Sequence, residues 1–179
     1  MRSVISPEYA ELNRKLHADR PDYGVTAGKN AAKILEFIRH GAHKTVLDYG
    51  CGKGTLKAAL TTLAPDITVL EYDPAIEGKE TVPTGDIDMV VVFDVMEHVE
   101  PDCLSAVLRS IYEVRAKSVF MVIDMHPATK CLPDGRNAHL IVRPSKWWQA
   151  RLTKFFRRTS SEEDGRSYTF LGAPLKVLT

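Results

Sequence analysis

The stretch Val46-Leu47-Asp48-Tyr49-Gly50-Cys51-Gly52-Lys53-Gly54-Thr55-Leu56 constrains this chain more than any other. An apolar run reaches an acid, three glycines follow at alternate positions, and apolar helical spacing resumes at Leu56. That order joins a buried strand to a helix through a turn that can adopt conformations closed to a Cβ and can approach a ligand where the helix begins. It reads as a nucleotide-type cofactor loop. A Walker cradle needs GxxxxGK[ST] and a dinucleotide fingerprint needs GxGxxG, and glycines at 50, 52 and 54 fit both poorly. Asp48 would also repel a pyrophosphate, whereas it suits a ligand carrying ammonium and sulfonium charge.

Asp48 through Gly54 complete the pattern (D/E)xGxGxG, and here the chain resembles the class I S-adenosylmethionine-dependent methyltransferases. Two further segments agree in order and spacing. Ile67-Thr68-Val69-Leu70 ends in Glu71, 23 positions after Asp48, where a second parallel strand would deliver an acid to ribose hydroxyls. Asp73 is a rival, but the apolar run stops at Glu71, so Glu71 is preferred and Asp73, before Pro74, is read as a turn former. Asp88 to Val99 is a continuous apolar strand, of the kind covered on both faces, running into an acidic, His-containing loop. It resembles the DVLEHV segment at the mouth of the cofactor cleft in the same family. The resemblance implies S-adenosylmethionine as cofactor, with Asp48, Gly50, Cys51, Gly52, Glu71, Asp94 and Val95 around it. It is closest over residues 44–125 and extends more loosely to His139-Leu140-Ile141.

Composition sets limits. The 179 residues make one domain, too small for a separate substrate domain. A net charge of +1 gives no global field for nucleic acid or an anionic membrane. Cys51, Cys103 and Cys131 are few, odd in number and dispersed, which fits a reducing, cytoplasmic location and no zinc site. No apolar run approaches the ~20 residues needed to span a bilayer, and the N-terminus has no signal-like apolar stretch. No motif specifies an oligomeric state.

Periodicity predicts helices from Ser6 to Pro21, Asn30 to Arg39, Leu56 to Leu63 and Asp102 to Glu113, with strands near 45, 67, 88 and 118–123. Strands alternating with helices at this pace indicate an α/β fold, a doubly wound, mostly parallel Rossmann-like sheet. Ser145 is expected to cap a helix carrying Trp147, Trp148 and Leu152. Phe155-Phe156 and Tyr168 to Leu171 then suggest a C-terminal antiparallel hairpin turning at Asp164-Gly165. The family pattern places a helix and a strand between Glu71 and Asp88, but the intervening 16 residues contain Gly78, Pro83 and Gly85. This middle layer is expected to be abbreviated, to one turn and a short edge strand, with Asp86 a candidate for the adenine amine. Residues 1–40 are expected to form a helical lid, with Tyr9, His17 and Tyr23-Gly24 available to line the cofactor; 44–125 form the cofactor core, and 126–179 the substrate loop, helix and hairpin.

Methyl transfer to oxygen or nitrogen needs a group to take a proton, and histidine titrates nearest neutrality. His126 and His139 are the catalytic candidates; His98, Arg136 and Trp147 are the substrate-binding ones. From Arg136 to Arg166 there are eight basic residues against three acids, interleaved with tryptophans. Three readings follow: a transferase acting on oxygen or nitrogen of a small metabolite, anionic ones included; a nucleotide or nucleic-acid modifier docking through the basic segment; and a cofactor-binding module without transfer. DNA amino-methylation of the (N/D/S)PP(Y/F) kind is disfavoured, because that place holds Asp94-Val95-Met96-Glu97.

Overall fold

Four short apolar runs form the parallel half of a six-stranded sheet: β1 (Thr45–Tyr49), β2 (Thr68–Tyr72), β3 (Met89–Phe93) and β4 (Ser118–Asp124). A computed structural model describes residues 3–176. Its strand order is β2-β1-β3-β4-β6-β5, with β6 (Ser167–Pro174) antiparallel to β4 and β5 (Phe156–Glu163) antiparallel to β6. The sheet is thus mostly parallel with a closing hairpin, as expected from the alternation of elements.

Both faces of the parallel strands are covered, which explains their continuous apolarity. Side chains alternate across a strand. Val46, Met89, Val91 and Phe120 pack under α3 (Ala31–His40) and α4 (Thr55–Leu63), while Leu47, Val90, Val92 and Met121 pack under α5 (Leu104–Glu113) and α6 (Ser145–Leu152). A third, smaller cluster joins Tyr9 and Leu16 of α1 (Pro7–Asp19) to Leu132 and Ala138. This cluster lays α1 across the carboxyl ends of the strands. Ser6 caps α1 by accepting from the Tyr9 N–H, and Pro7 takes a first-turn position that needs no donor.

Several boundaries differ from expectation for identifiable reasons. The helix expected from Asn30 is preceded by the short α2 (Thr26–Lys29), and the Asn30 side chain bonds back to the Thr26 carbonyl instead of capping forward. Ser145 is not the cap of α6: Pro144 occupies that place, and the Ser145 hydroxyl donates to Glu163 on β5. Residues 101–103 form a turn, so α5 begins at Leu104 and not at Asp102. The hairpin turns where expected, with Asp164 accepting from the Arg166 and Ser167 N–H groups.

The middle layer is reduced further than expected. Residues 73–88 contain turns and neither helix nor edge strand, leaving β2 as the sheet edge. Gly78 and Gly85 hold positive φ there, and Lys79 N–H donates to the Ile76 carbonyl.

Candidate active site

A cavity of about 310 Å³ lies over the carboxyl ends of β1, β3 and β4, where open α/β sheets place ligands. Its floor is Gly50 to Gly52, Asp73 to Ala75, Phe93 to Val95 and Asp124. Its roof is Tyr9, Asn13, His17 and Tyr23-Gly24, and the far wall carries His98, Lys130, His139 and Arg166.

The glycine loop is built by backbone bonds. Gly50 and Cys51 N–H groups donate to the Tyr72 carbonyl at 2.7 and 3.1 Å, tying the loop to the end of β2. Gly50 sits at φ 82°, and a Cβ there would collide with the Val95 methyls. Gly52 at φ 49° leaves a Cβ only 3.0 Å from the His17 ring and 3.1 Å from the Gly24 carbonyl, tighter than ordinary contact. Only glycine combines these conformations with these approaches.

The acids separate into distinct environments. Asp48 ends β1 at 1% exposure, beneath the loop and outside the cavity wall, with Oδ2 unpartnered. Burial, with Glu71 and Asp73 nearby, pushes its carboxyl up to about 7. Glu71 is also outside the wall. Burial opposes its ionisation, but Lys79 at 3.0 Å and Lys57 at 3.3 Å outweigh that and hold it below the usual range. The acid that reaches the cavity is Asp73, whose Oδ2 accepts from Gly52 N–H and whose Oδ1 accepts from Ala75 N–H. Asp73 therefore makes the expected turn and lines the site as well. The strand continues past Glu71 because Tyr72 is itself a buried residue, packed on Tyr49 at 4.6 Å.

Asp94 lines the cavity with φ 52°, an uncommon conformation for a side chain other than glycine. Burial and the neighbouring Asp124 raise its carboxyl to about 6, against the pull of Arg166. Arg166, from the hairpin turn just before β6, donates to Asp124 at the end of β4 at 2.6 Å. Val95 closes over Gly50.

The five candidates for the acceptor side divide. His98 and His139 share the cavity wall, their rings 4.6 Å apart and perpendicular. Burial and His139 push His98 down to about 3, so it is a neutral imidazole at physiological pH. His126 is exposed beside Asp124 and does not line the cavity; its carbonyl accepts from the His139 ring. Arg136 is paired with Asp134 in an exposed turn away from the site. Trp147 faces a separate shallow groove, with the Arg151 guanidinium 3.2 Å from its ring centre, and Trp148 is fully buried in the core. Asp86 is not among the lining residues. Tyr23, Asn13, Thr26, Lys130 and Asp124 join the lining from separate elements, and of these only Tyr23 was a candidate from the sequence.

Fold and site define a class. A family model for methyltransferase domains matches residues 23–165, and the chain belongs to that family. No curated protein sequence matches it. Among solved structures, a Burkholderia thailandensis 1,6-didemethyltoxoflavin-N1-methyltransferase, crystallised with 1,6-didemethyltoxoflavin and S-adenosylhomocysteine, is similar with a TM-score of 0.65 at 17% identity, covering 98% of this chain and 93% of that one. The mitomycin 7-O-methyltransferase MmcR is similar at 0.64 and 16%, over 90% of this chain and 60% of that one. Human N-acetylserotonin methyltransferase in complex with SAM gives 0.58 and 15%, over 82% and 52%. At these identities the likeness is one of fold, that of class I S-adenosylmethionine-dependent methyltransferases. No helix among the described residues is long and apolar enough to cross a membrane.

Proposed function

We propose that this protein transfers the methyl group of S-adenosylmethionine to an oxygen or nitrogen of a small metabolite held in the roofed cavity. The observation that carries this reading is the cradle itself: Gly50 and Gly52 expose backbone that no Cβ could share, and Asp73 presents a buried carboxylate beside it. Those residues fit the donor. Gly50, Cys51, Gly52, Asp94 and Val95 would surround it, and Asp73 takes the ribose role in place of Glu71, whose oxygens are occupied by two lysines. When bound, the donor supplies a methyl on a positive sulfur, open to in-line displacement.

The rest of the chemistry is positioning. Tyr9 donates to the His98 carbonyl at 2.6 Å, and Ser6 donates twice to Glu100, so α1 is held down over the site and water is kept out. The cavity is at the lower end of ligand-pocket sizes, which favours a small acceptor. Its wall carries four carboxylates, Asp22, Asp73, Asp94 and Asp124, against Lys130 and Arg166, and both cations are already paired. That balance favours a neutral or cationic acceptor over an anionic one. His139 is the proton acceptor on this wall, and His126 stands behind it as a positioning residue through its carbonyl.

Nucleic-acid docking gains no support from the tryptophans, one buried and the other covered by Arg151. A transfer-free module gains none from the shortened middle layer, because Asp73 and Ala75 reach the cavity without it. The test is incubation with isotopically labelled donor and a metabolite extract, read by mass spectrometry. Labelled product is expected; absence of heat in calorimetry with either S-adenosylmethionine or S-adenosylhomocysteine would sink the reading.

A further inference from the structure

We propose that Glu97, His98 and His139 form a binding site for one divalent transition-metal cation on the wall of the cavity. Each residue brings a ligating atom to within 4.8 Å of the other two. The expectation of no metal site rested on the cysteines; this set uses none of them.

Three independent features point to an ion. Glu97 is fully buried, and although Oε1 accepts from the Asp124 N–H at 2.9 Å, Oε2 has no partner. A buried carboxylate oxygen without a partner is rare and calls for a missing occupant. The His98 Nδ1 lies 2.8 Å from the Ala138 carbonyl, and the His139 Nδ1 lies 2.5 Å from the His126 carbonyl. A carbonyl only accepts, so in both rings the proton is on Nδ1 and, in the neutral ring, the lone pair is on Nε2. Backbone carbonyls fixing the tautomer and orientation of two neighbouring imidazoles is the arrangement that metal-ligating histidines adopt.

The donor set selects the ion. Two imidazoles and one carboxylate suit zinc, cobalt, nickel, iron or manganese, while magnesium and calcium prefer all-oxygen sets. Three protein ligands leave coordination positions open. His98 and His139 both line the cavity, so those positions face it.

The consequence for substrate rests on the transferase reading above: the acceptor is a hydroxyl compound whose oxygen the ion makes more acidic. With its Nε2 held by the ion, His139 no longer takes the proton, which leaves to solvent instead; the oxygen pair forms the O–CH3 bond, and the electron pair of the broken S–CH3 bond remains on the neutral thioether.

Ion binding is tested without the donor. Metal-stripped full-length protein is titrated with Co²⁺ and followed by its visible d–d bands, and with Zn²⁺ by calorimetry. One equivalent per chain is expected, weakened at least ~10-fold by His98→Gln, His139→Gln or Glu97→Gln and unchanged by His40→Gln on the exposed face of α3. Circular dichroism checks folding; the His139 substitution, at a partly exposed position, keeps the test decisive if the Glu97 variant unfolds. Absence of stoichiometric binding, or full affinity in both histidine variants, overturns the site. S-adenosylhomocysteine is titrated in parallel. Binding of cobalt without it overturns the donor reading alone, and binding of it without cobalt overturns the ion site alone.

Discussion

The floor and the roof of the cavity are made in opposite ways. The floor is a set of short loops at the strand ends pinned by backbone bonds: Gly50 and Cys51 to Tyr72, Gly54 N–H to Cys51, Asp94 N–H to Val122. The roof is held by side chains reaching across long stretches of chain: Ser6 to Glu100, Tyr9 to His98, Lys130 to Asp22. A backbone ladder over a packed core opens only with the sheet, whereas a few side-chain bonds over a small apolar cluster can open locally. Donor recognition therefore sits on the rigid half, and access on the half that can move.

The largest expected effect tests the buried charge beneath the floor. Asp48 is raised from 3.8 to about 7 by burial, next to Glu71 and Asp73 and partly offset by Lys79. The folded state then holds a proton that the unfolded state releases, so this carboxyl's contribution to stability is fully present below about pH 4 and is lost as pH rises to about 7, while His98, pushed down to about 3, contributes the opposite trend. The span corresponds to an upper bound of ~4 kcal/mol. Urea denaturation between pH 4 and 8 should show wild type losing stability relative to Asp48→Asn as pH rises, by up to that amount; parallel profiles would refute the assignment.

Next is the loop. Gly50→Val forces a side chain into a positive-φ position against Val95, at a cost of ~2–3 kcal/mol, and should abolish S-adenosylhomocysteine binding. Retained affinity in calorimetry would show that the floor is not rigid.

The choice between acids comes third. Asp73→Asn should weaken S-adenosylhomocysteine by about 2 kcal/mol, on the order of thirtyfold, through loss of charge-assisted bonds. Glu71→Gln, outside the wall, should change affinity less than ~3-fold. The reverse order would restore Glu71 as the ribose acid.

The smallest effect belongs to the roof. Glu100→Gln weakens the two bonds from Ser6, costing ~1 kcal/mol or less. Amide exchange should accelerate through Pro7–Asp19 and stay unchanged in β1 and β3. Uniform acceleration would mean that roof and floor open together.

Legibility in the sequence follows the same division. The glycine loop, the parallel strands and the helices behind them were legible because strand and helix periods and glycine spacing are properties of consecutive residues. The acid that lines the cavity lies two positions beyond the one at which the apolar run stops, since Glu71 and Asp73 share a face of an extended chain and the buried Tyr72 hid the strand's true end. His126 and His139 looked equivalent as neighbours of turn-forming residues. Folding turned one outward and aimed the other at His98, 41 positions away in the chain. The tryptophans read as stacking platforms or as core, with core preferred, and α6 packing on β4 and β6 decided for the core in Trp148.

The sequence by itself determined the α/β order, the place of the donor loop and its glycine requirement, because these are set by local sterics and by which runs must be buried. Only the tertiary structure decided which carboxylate meets the cavity, that two lysines silence Glu71, and that Glu97, His98 and His139 converge. Those outcomes depend on distances between residues remote in the chain, and on desolvation, which exists only once the core has closed around them.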